Sequence, residues 1–140
     1  MMQAFVQAIL QTQSSYRQLI QQKMKEYGIN LSFEMLHVLR TLDRSGKVNQ
    51  QELANLSFKD KSSLSYLIKN LEKKQLIYRQ EDGTDKRSKL VMLTPKGKEL
   101  YTKIHHLVND VYEKIEGEVN IEHMRRCIDY MKEFNESIKN

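Results

Sequence analysis

Between Ser57 and Leu100 the spacing of apolar residues changes twice, and few folds accept that order of changes. Leu64, Leu67, Ile68 and Leu71 recur at intervals of three and four, the period of a helix with one buried face. Residues 76–79 and 89–93 then read as short strands, separated by Glu81-Asp82-Gly83-Thr84-Asp85, which has turn chemistry. Thr94-Pro95 starts another helix, with Thr as N-cap and the chain's single proline at the first helical position. A helix followed directly by a basic hairpin can place one element in a DNA major groove and a second beside it.

The flanking segments supply what that unit needs. Phe5, Ile9, Tyr16, Ile20, Met24 and Tyr27 recur at helical spacing, so a long amphipathic helix is predicted, ending at Gly28 as the C′ residue. It is too apolar along its stripe to stand alone and should lie across other helices or a partner chain. Ser32 is the expected N-cap of a second helix, with Phe33, Leu36, Leu39 and Leu42 inside and Ser45-Gly46 at its end. Asn49 and Glu52 form a capping box for a short helix with Leu53, Ala54 and Leu56 as inner residues. A short helix, a tight turn and the amphipathic helix from about Lys61 to Lys74 make a helix-turn-helix. After the hairpin, Leu100, Ile104, Leu107, Val108, Val111 and Ile115 mark a helix ending near Gly117. Met124, Cys127, Ile128, Met131, Phe134 and Ile138 mark a last one with a short coiled-coil seam.

The order is therefore ααααββαα. The fold class is mainly α with a small β-wing, in one domain over residues 1–140. Residues 32–95 form the winged helix-turn-helix region, and residues 1–28 and 96–140 form dimerisation helices.

The net charge of +5 is unevenly spread. Residues 59–98 carry eleven Lys/Arg against five Asp/Glu, whereas residues 99–140 carry six against nine. A basic centre with an acidic tail suits a nucleic-acid binder, although charge alone also fits an ordinary solvated surface. No apolar stretch approaches the ~20 residues of a membrane span. The start of the chain lacks the basic residue of a secretory signal. A single cysteine excludes an intramolecular disulfide and fits a reducing cytoplasm.

Lys61, Ser62, Ser63, Ser65, Tyr66 and Lys69 are the candidate DNA contacts of the central helix. Hydroxyls can donate or accept, so Ser and Tyr can meet phosphates or either kind of base edge. Small residues at the helix start admit the backbone to the groove, and the helix dipole there favours phosphate. A purely solvated face would carry more Glu and Lys, since Ser is the weaker helix former. In the hairpin the candidates are Asp85, Lys86, Arg87 and Lys89. Asp85 and Arg87, two apart, share a side of the strand, and the carboxylate can orient the guanidinium for the minor groove. Alone, such a pair reads as a screened surface contact; directly after a helix-turn-helix it reads as functional.

Leu71-Glu72-Lys73-Lys74-Gln75-Leu76-Ile77-Tyr78-Arg79, then Asp85-Lys86-Arg87, then Leu90-Val91-Met92-Leu93-Thr94-Pro95-Lys96-Gly97 together resemble the MarR family of bacterial winged-helix transcription regulators. The resemblance is specific over about residues 53–100. It implies a homodimer held by its terminal helices. It also implies Ser63, Ser65 and Tyr66 on a recognition helix, where the family has Thr, Thr and Arg, and Arg87 in the minor groove. Three positions depart from the pattern: Tyr66, Thr84 in place of a further wing arginine, and Gln75 in place of glycine after the recognition helix. A left-handed glutamine costs on the order of 1 kcal/mol, which leaves room for a different turn.

Family members commonly release DNA on binding a small, often aromatic, molecule. Here the effector-binding residues are unknown, and Tyr16, Met24, Phe33 and Met35 read as core rather than as a cleft. Cys127, on the seam, reads as a buried structural residue. His37, His105, His106 and His123 lack metal-ligand spacing, so neither metal nor cofactor is expected. The expected function is a cytoplasmic, homodimeric repressor that binds a pseudo-palindromic site in double-stranded DNA and responds to a small-molecule effector, with no catalytic residues and no membrane partner. The alternative is a winged helix that docks a protein and leaves DNA alone.

Overall fold

The computed structural model describes residues 1–57, 60–81, 83–84 and 89–139, with only the backbone of Lys61. Among these residues the helices are α1 (Met2–Glu26), α2 (Phe33–Ser45), α3 (Gln50–Ser57), α4 (Lys61–Lys73), α5 (Pro95–Glu116) and α6 (Ile121–Ile138). The strands are β1 (Val48–Asn49), β2 (Ile77–Glu81) and β3 (Lys89–Leu93). They form an antiparallel sheet in the order β1-β3-β2, with Val48 opposite Val91 and Ile77 opposite Leu93.

The helix ends are where the local chemistry puts them. The side chain of Ser32 accepts from the Met35 amide at 3.1 Å, and α2 closes at Gly46 with φ +72°. Asn49 Oδ1 accepts from the Glu52 amide, and Asn49 Nδ2 donates to Glu52 Oε1, both at 2.8 Å. At the end of α1 the Gly28 amide donates to the Lys25 carbonyl and the Ile29 amide to the Met24 carbonyl. That is the Schellman pattern, and Gly28 takes the left-handed φ of +72° that it requires.

Two compact units emerge, Met1–His105 and His106–Asn140, with α5 running from the first into the second. The first unit holds a core of Ile20, Met24, Leu36, Val38, Leu39, Leu42, Leu53, Leu64, Ile68, Leu71, Val91 and Ile104, each essentially inaccessible. Tyr16 meets Phe33 edge to face at 5.7 Å, and Arg17 lies over the same ring while pairing with Glu34. These are packing contacts, as expected of that stripe.

In the second unit α6 is capped by Asn120, whose Oδ1 accepts from the His123 amide at 3.0 Å. It buries none of its residues. Met124, Cys127, Ile128, Met131 and Ile138 are all exposed, and Phe134 is half-buried. Cys127, expected as a buried residue of the seam, is exposed in the single chain.

Two further expectations need correction. Leu56 is 49% exposed, and Ser57 is the inner residue at 3%. Ser57, four residues after Leu53, falls on the same face, and its hydroxyl donates to the Leu53 carbonyl at 2.6 Å. The residue order also gains β1, which was not expected. Among the described residues no helix is long and apolar enough to cross a membrane, and no three His, Cys, Asp or Glu gather as around a metal ion.

Candidate nucleic-acid interface

Leu64, Leu67, Ile68 and Leu71 bury one side of α4 in the core. The opposite side is thereby fixed outward. Ser62, Ser63, Tyr66 and Lys69 are exposed on it, Tyr66 at 69%. Ser65 was expected outward with them. It is half-buried instead, and its hydroxyl accepts from Gln50 Nε2 of α3 at 2.6 Å. Ser65 thus ties the two helices of the helix-turn-helix together. Lys89 is exposed at the start of β3, opposite Glu81. Asp85, Lys86 and Arg87, and the side chain of Lys61, lie outside the described residues.

The start of α4 differs from expectation in its charge. Asp60 is the N-cap. Its Oδ1 accepts from the Ser63 amide at 2.8 Å and from the Ser62 hydroxyl at 3.1 Å, and its Oδ2 accepts from the Ser63 hydroxyl at 3.1 Å. The Ser63 amide, followed by the Ser63 and Ser62 hydroxyls, lowers the Asp60 pKa below the ordinary 3.8. The place anticipated for a DNA phosphate is therefore filled by the chain's own carboxylate. Sequence reading missed Asp60 as a site residue, although an Asp directly before a helix and three residues ahead of Ser63 is a capping signal.

The far end of α4 is closed with equal economy. The Gln75 amide donates to the Glu72 carbonyl at 2.9 Å, and the Leu76 amide to the Leu71 carbonyl at 3.1 Å. Gln75 has φ +63°, so this is a second Schellman ending, with glutamine where glycine would be unstrained. The departure at Gln75 does not alter the turn. Arg79 of β2 pairs with Glu72 at 2.7 Å across the same end. The Thr94 amide donates to the Leu76 carbonyl at 3.0 Å, the Thr94 hydroxyl to the Gln75 carbonyl at 2.7 Å, and Lys96 Nζ to the Lys74 carbonyl at 3.1 Å. Gly97 lies against this turn so closely that a Cβ there would stand 3.0 Å from the Leu76 carbonyl carbon and nearer still to its oxygen.

Beside the outer face of α4, a cleft of about 1070 Å³ opens toward the start of α2, with Ser32, Met35, Tyr66 and Leu67 among its walls.

A buried stripe, an exposed polar face and an adjoining two-stranded hairpin are the components of a winged helix-turn-helix, and comparison with known proteins agrees. The sequence model of the MarR family matches residues 31–89. The HTH-type transcriptional regulator SarZ of Staphylococcus epidermidis is 32% identical over 98 residues. Those residues are 70% of this chain but 62% of SarZ, less than two thirds of that relative's length. The HTH-type transcriptional regulator FarR of Neisseria gonorrhoeae is 30% identical over 104 residues, 74% of this chain and 71% of FarR. The crystal structure of a mutant MarR from Escherichia coli complexed with operator DNA matches with a TM-score of 0.86 over 94% of this chain and 93% of that one. At 18% identity, that match is a likeness of fold.

Proposed function

The chain belongs to the MarR family, and from that premise we propose that it is a sequence-specific, double-stranded DNA-binding transcriptional regulator acting as a homodimeric repressor. It acts in the cytoplasm, without catalysis and without a cofactor. The observation that carries this reading is the outer face of α4. Its Ser62, Ser63, Tyr66 and Lys69 are held toward solvent by a stripe that cannot leave the core. A major groove about 12 Å wide admits one α-helix, and hydroxyls with a lysine suit its base edges and flanking phosphates. Residues 32–95 form the DNA-binding region. Lys61, Lys89 and the wing residues Asp85, Lys86 and Arg87 complete the interface, with Arg87 directed to the minor groove.

Residues 1–28 and 96–140 form the dimerisation region. The uncovered apolar face of α6 and the exposed Val6 and Leu10 of α1 support that assignment. Two-fold symmetry then demands a pseudo-palindromic operator with half-sites about one helical turn apart. A small molecule seated in the cleft between α2 and α4 would share Tyr66 with the reading face and so release the DNA.

Salt titration of duplex binding tests the proposal. A protein touching six to ten phosphates loses roughly 10³–10⁵ in affinity between 50 and 200 mM salt. Binding that ignores salt, or no binding to any duplex, would favour the protein-docking alternative. Tyr66→Ala is expected to change sequence preference more than affinity. A uniform loss across all sequences would make Tyr66 a backbone contact.

A further inference from the structure

The contacts that join the start of α5 to the end of α4 involve no DNA-reading residue. Their arrangement nevertheless bears on reading. Three consecutive carbonyls, those of Lys74, Gln75 and Leu76, are each taken by a group from the segment between Thr94 and Lys96. The Thr94 hydroxyl does two things at once. It donates to the Gln75 carbonyl at 2.7 Å and accepts from the Gly97 amide at 2.9 Å. One oxygen atom therefore closes the end of α4 and opens α5. Lys96 adds a cation at the C-terminal end of α4, where the helix dipole favours one.

We infer that Thr94 and Lys96 are positioning residues of the reading helix, fixing its height and its rotation from the C-terminal end. This rests on the DNA-reading role of α4 proposed above. The buried stripe holds α4 against the core, but a stripe of aliphatic side chains tolerates small rotations that hydrogen bonds at one end do not. Base edges are read through hydrogen bonds with narrow distance and angle limits. Phosphate attraction is long-ranged and forgiving of orientation. Loosening the end of α4 should therefore harm discrimination between sequences and leave general DNA affinity nearly intact.

The test uses the full chain, a duplex selected by the wild type from a random pool, and a scrambled duplex of the same length. Thr94→Val keeps the shape and removes both hydroxyl bonds; Thr94→Ser keeps the hydroxyl. With all proteins folded by circular dichroism, Thr94→Val should lower the ratio of selected to scrambled affinity by about tenfold, the scale of one or two lost hydrogen bonds. Affinity for the scrambled duplex should stay within about twofold, and Thr94→Ser should restore the ratio. Unchanged discrimination in a folded Thr94→Val, or a Thr94→Ser as impaired as the valine variant, would overturn the inference. If Thr94→Val does not fold, Lys96→Met carries the test. Lys96 is exposed, its stem is retained, and a ratio reduced by about threefold is expected against an unchanged one that refutes. A wild type that enriches no duplex from the pool would instead refute the DNA-reading function itself.

Discussion

Replacing Gly97 with alanine should destabilise the fold, against the local preference of its own helix. Gly97 stands in the first turn of α5, where alanine would ordinarily help by up to about 1 kcal/mol. Its φ is not in the left-handed region, so backbone freedom is not why glycine is there. The reason is space. A Cβ at this position would be 3.0 Å from the Leu76 carbonyl carbon and closer to its oxygen, and backbone cannot swing aside as a flexible side chain could. Relief requires the first turn of α5 to move away from residues 74–76. That movement stretches the 2.7 Å bond from the Thr94 hydroxyl and the 3.0 Å bond from the Thr94 amide. Two such bonds contribute about 1 kcal/mol each, and a carbonyl left without a partner on the buried Leu76 costs about 1–3 kcal/mol more. Set against the helix preference, the net loss is roughly 2–4 kcal/mol. Urea unfolding followed by circular dichroism measures it, with Gly117→Ala as a control. The nearest atom to a Cβ at Gly117 is 3.5 Å away, an ordinary contact, so a change within about 0.5 kcal/mol is expected there. A Gly97→Ala protein as stable as wild type, or more so, would show that the turn yields freely and would refute the close-approach argument.

Gln75→Gly should stabilise by about 0.5–1 kcal/mol, since relief of roughly 1–2 kcal/mol of left-handed strain outweighs the extra freedom of glycine in the unfolded chain; a loss in the same unfolding assay would contradict it. Asp60 has a depressed folded pKa, so its contribution to stability is present above the ordinary 3.8 and is lost as pH falls through the lower folded value. Asp60→Asn keeps a capping side chain but cannot titrate, so the stability gap between wild type and variant should narrow as pH drops below 3.8; a gap independent of pH would mean the carboxylate does not serve as the cap. Met131→Asp places a charge on the uncovered face of α6 and should yield monomers in sedimentation at concentrations where the wild type is a dimer; an intact dimer would move the interface elsewhere.

What the sequence made legible follows from the range of the forces involved. Caps act within one turn, so Ser32, Gly46, the Asn49–Glu52 pair and Thr94-Pro95 marked helix ends that the structure repeats. Buried stripes are periodic, so the inner face of α4 was plain. Strand β1 was not, because two residues carry no period and Val48 gains its place only by pairing with the distant Val91. Leu56 misled because hydrophobicity outranked geometry, whereas a serine can go inside when its hydroxyl bonds the preceding turn, as Ser57 does. Gln75 could be flagged as costly, but nothing local told that Leu76, Thr94 and Lys96 together would hold it left-handed. The apolar spacing of α6 was legible as well, but periodicity does not say what an apolar face meets, and in the single chain that face, Cys127 included, is exposed.

The carboxylate of Asp60 has one more effect. A recognition helix whose first amides are unsatisfied can fray until a phosphate arrives, and part of the binding energy then goes into ordering it. Here that role is filled from within the chain, and the opposite end is stapled by α5. Helix α4 is thus preorganised before any nucleic acid approaches. The ordering of α4 should therefore add no coupled-folding increment to the heat-capacity change of association.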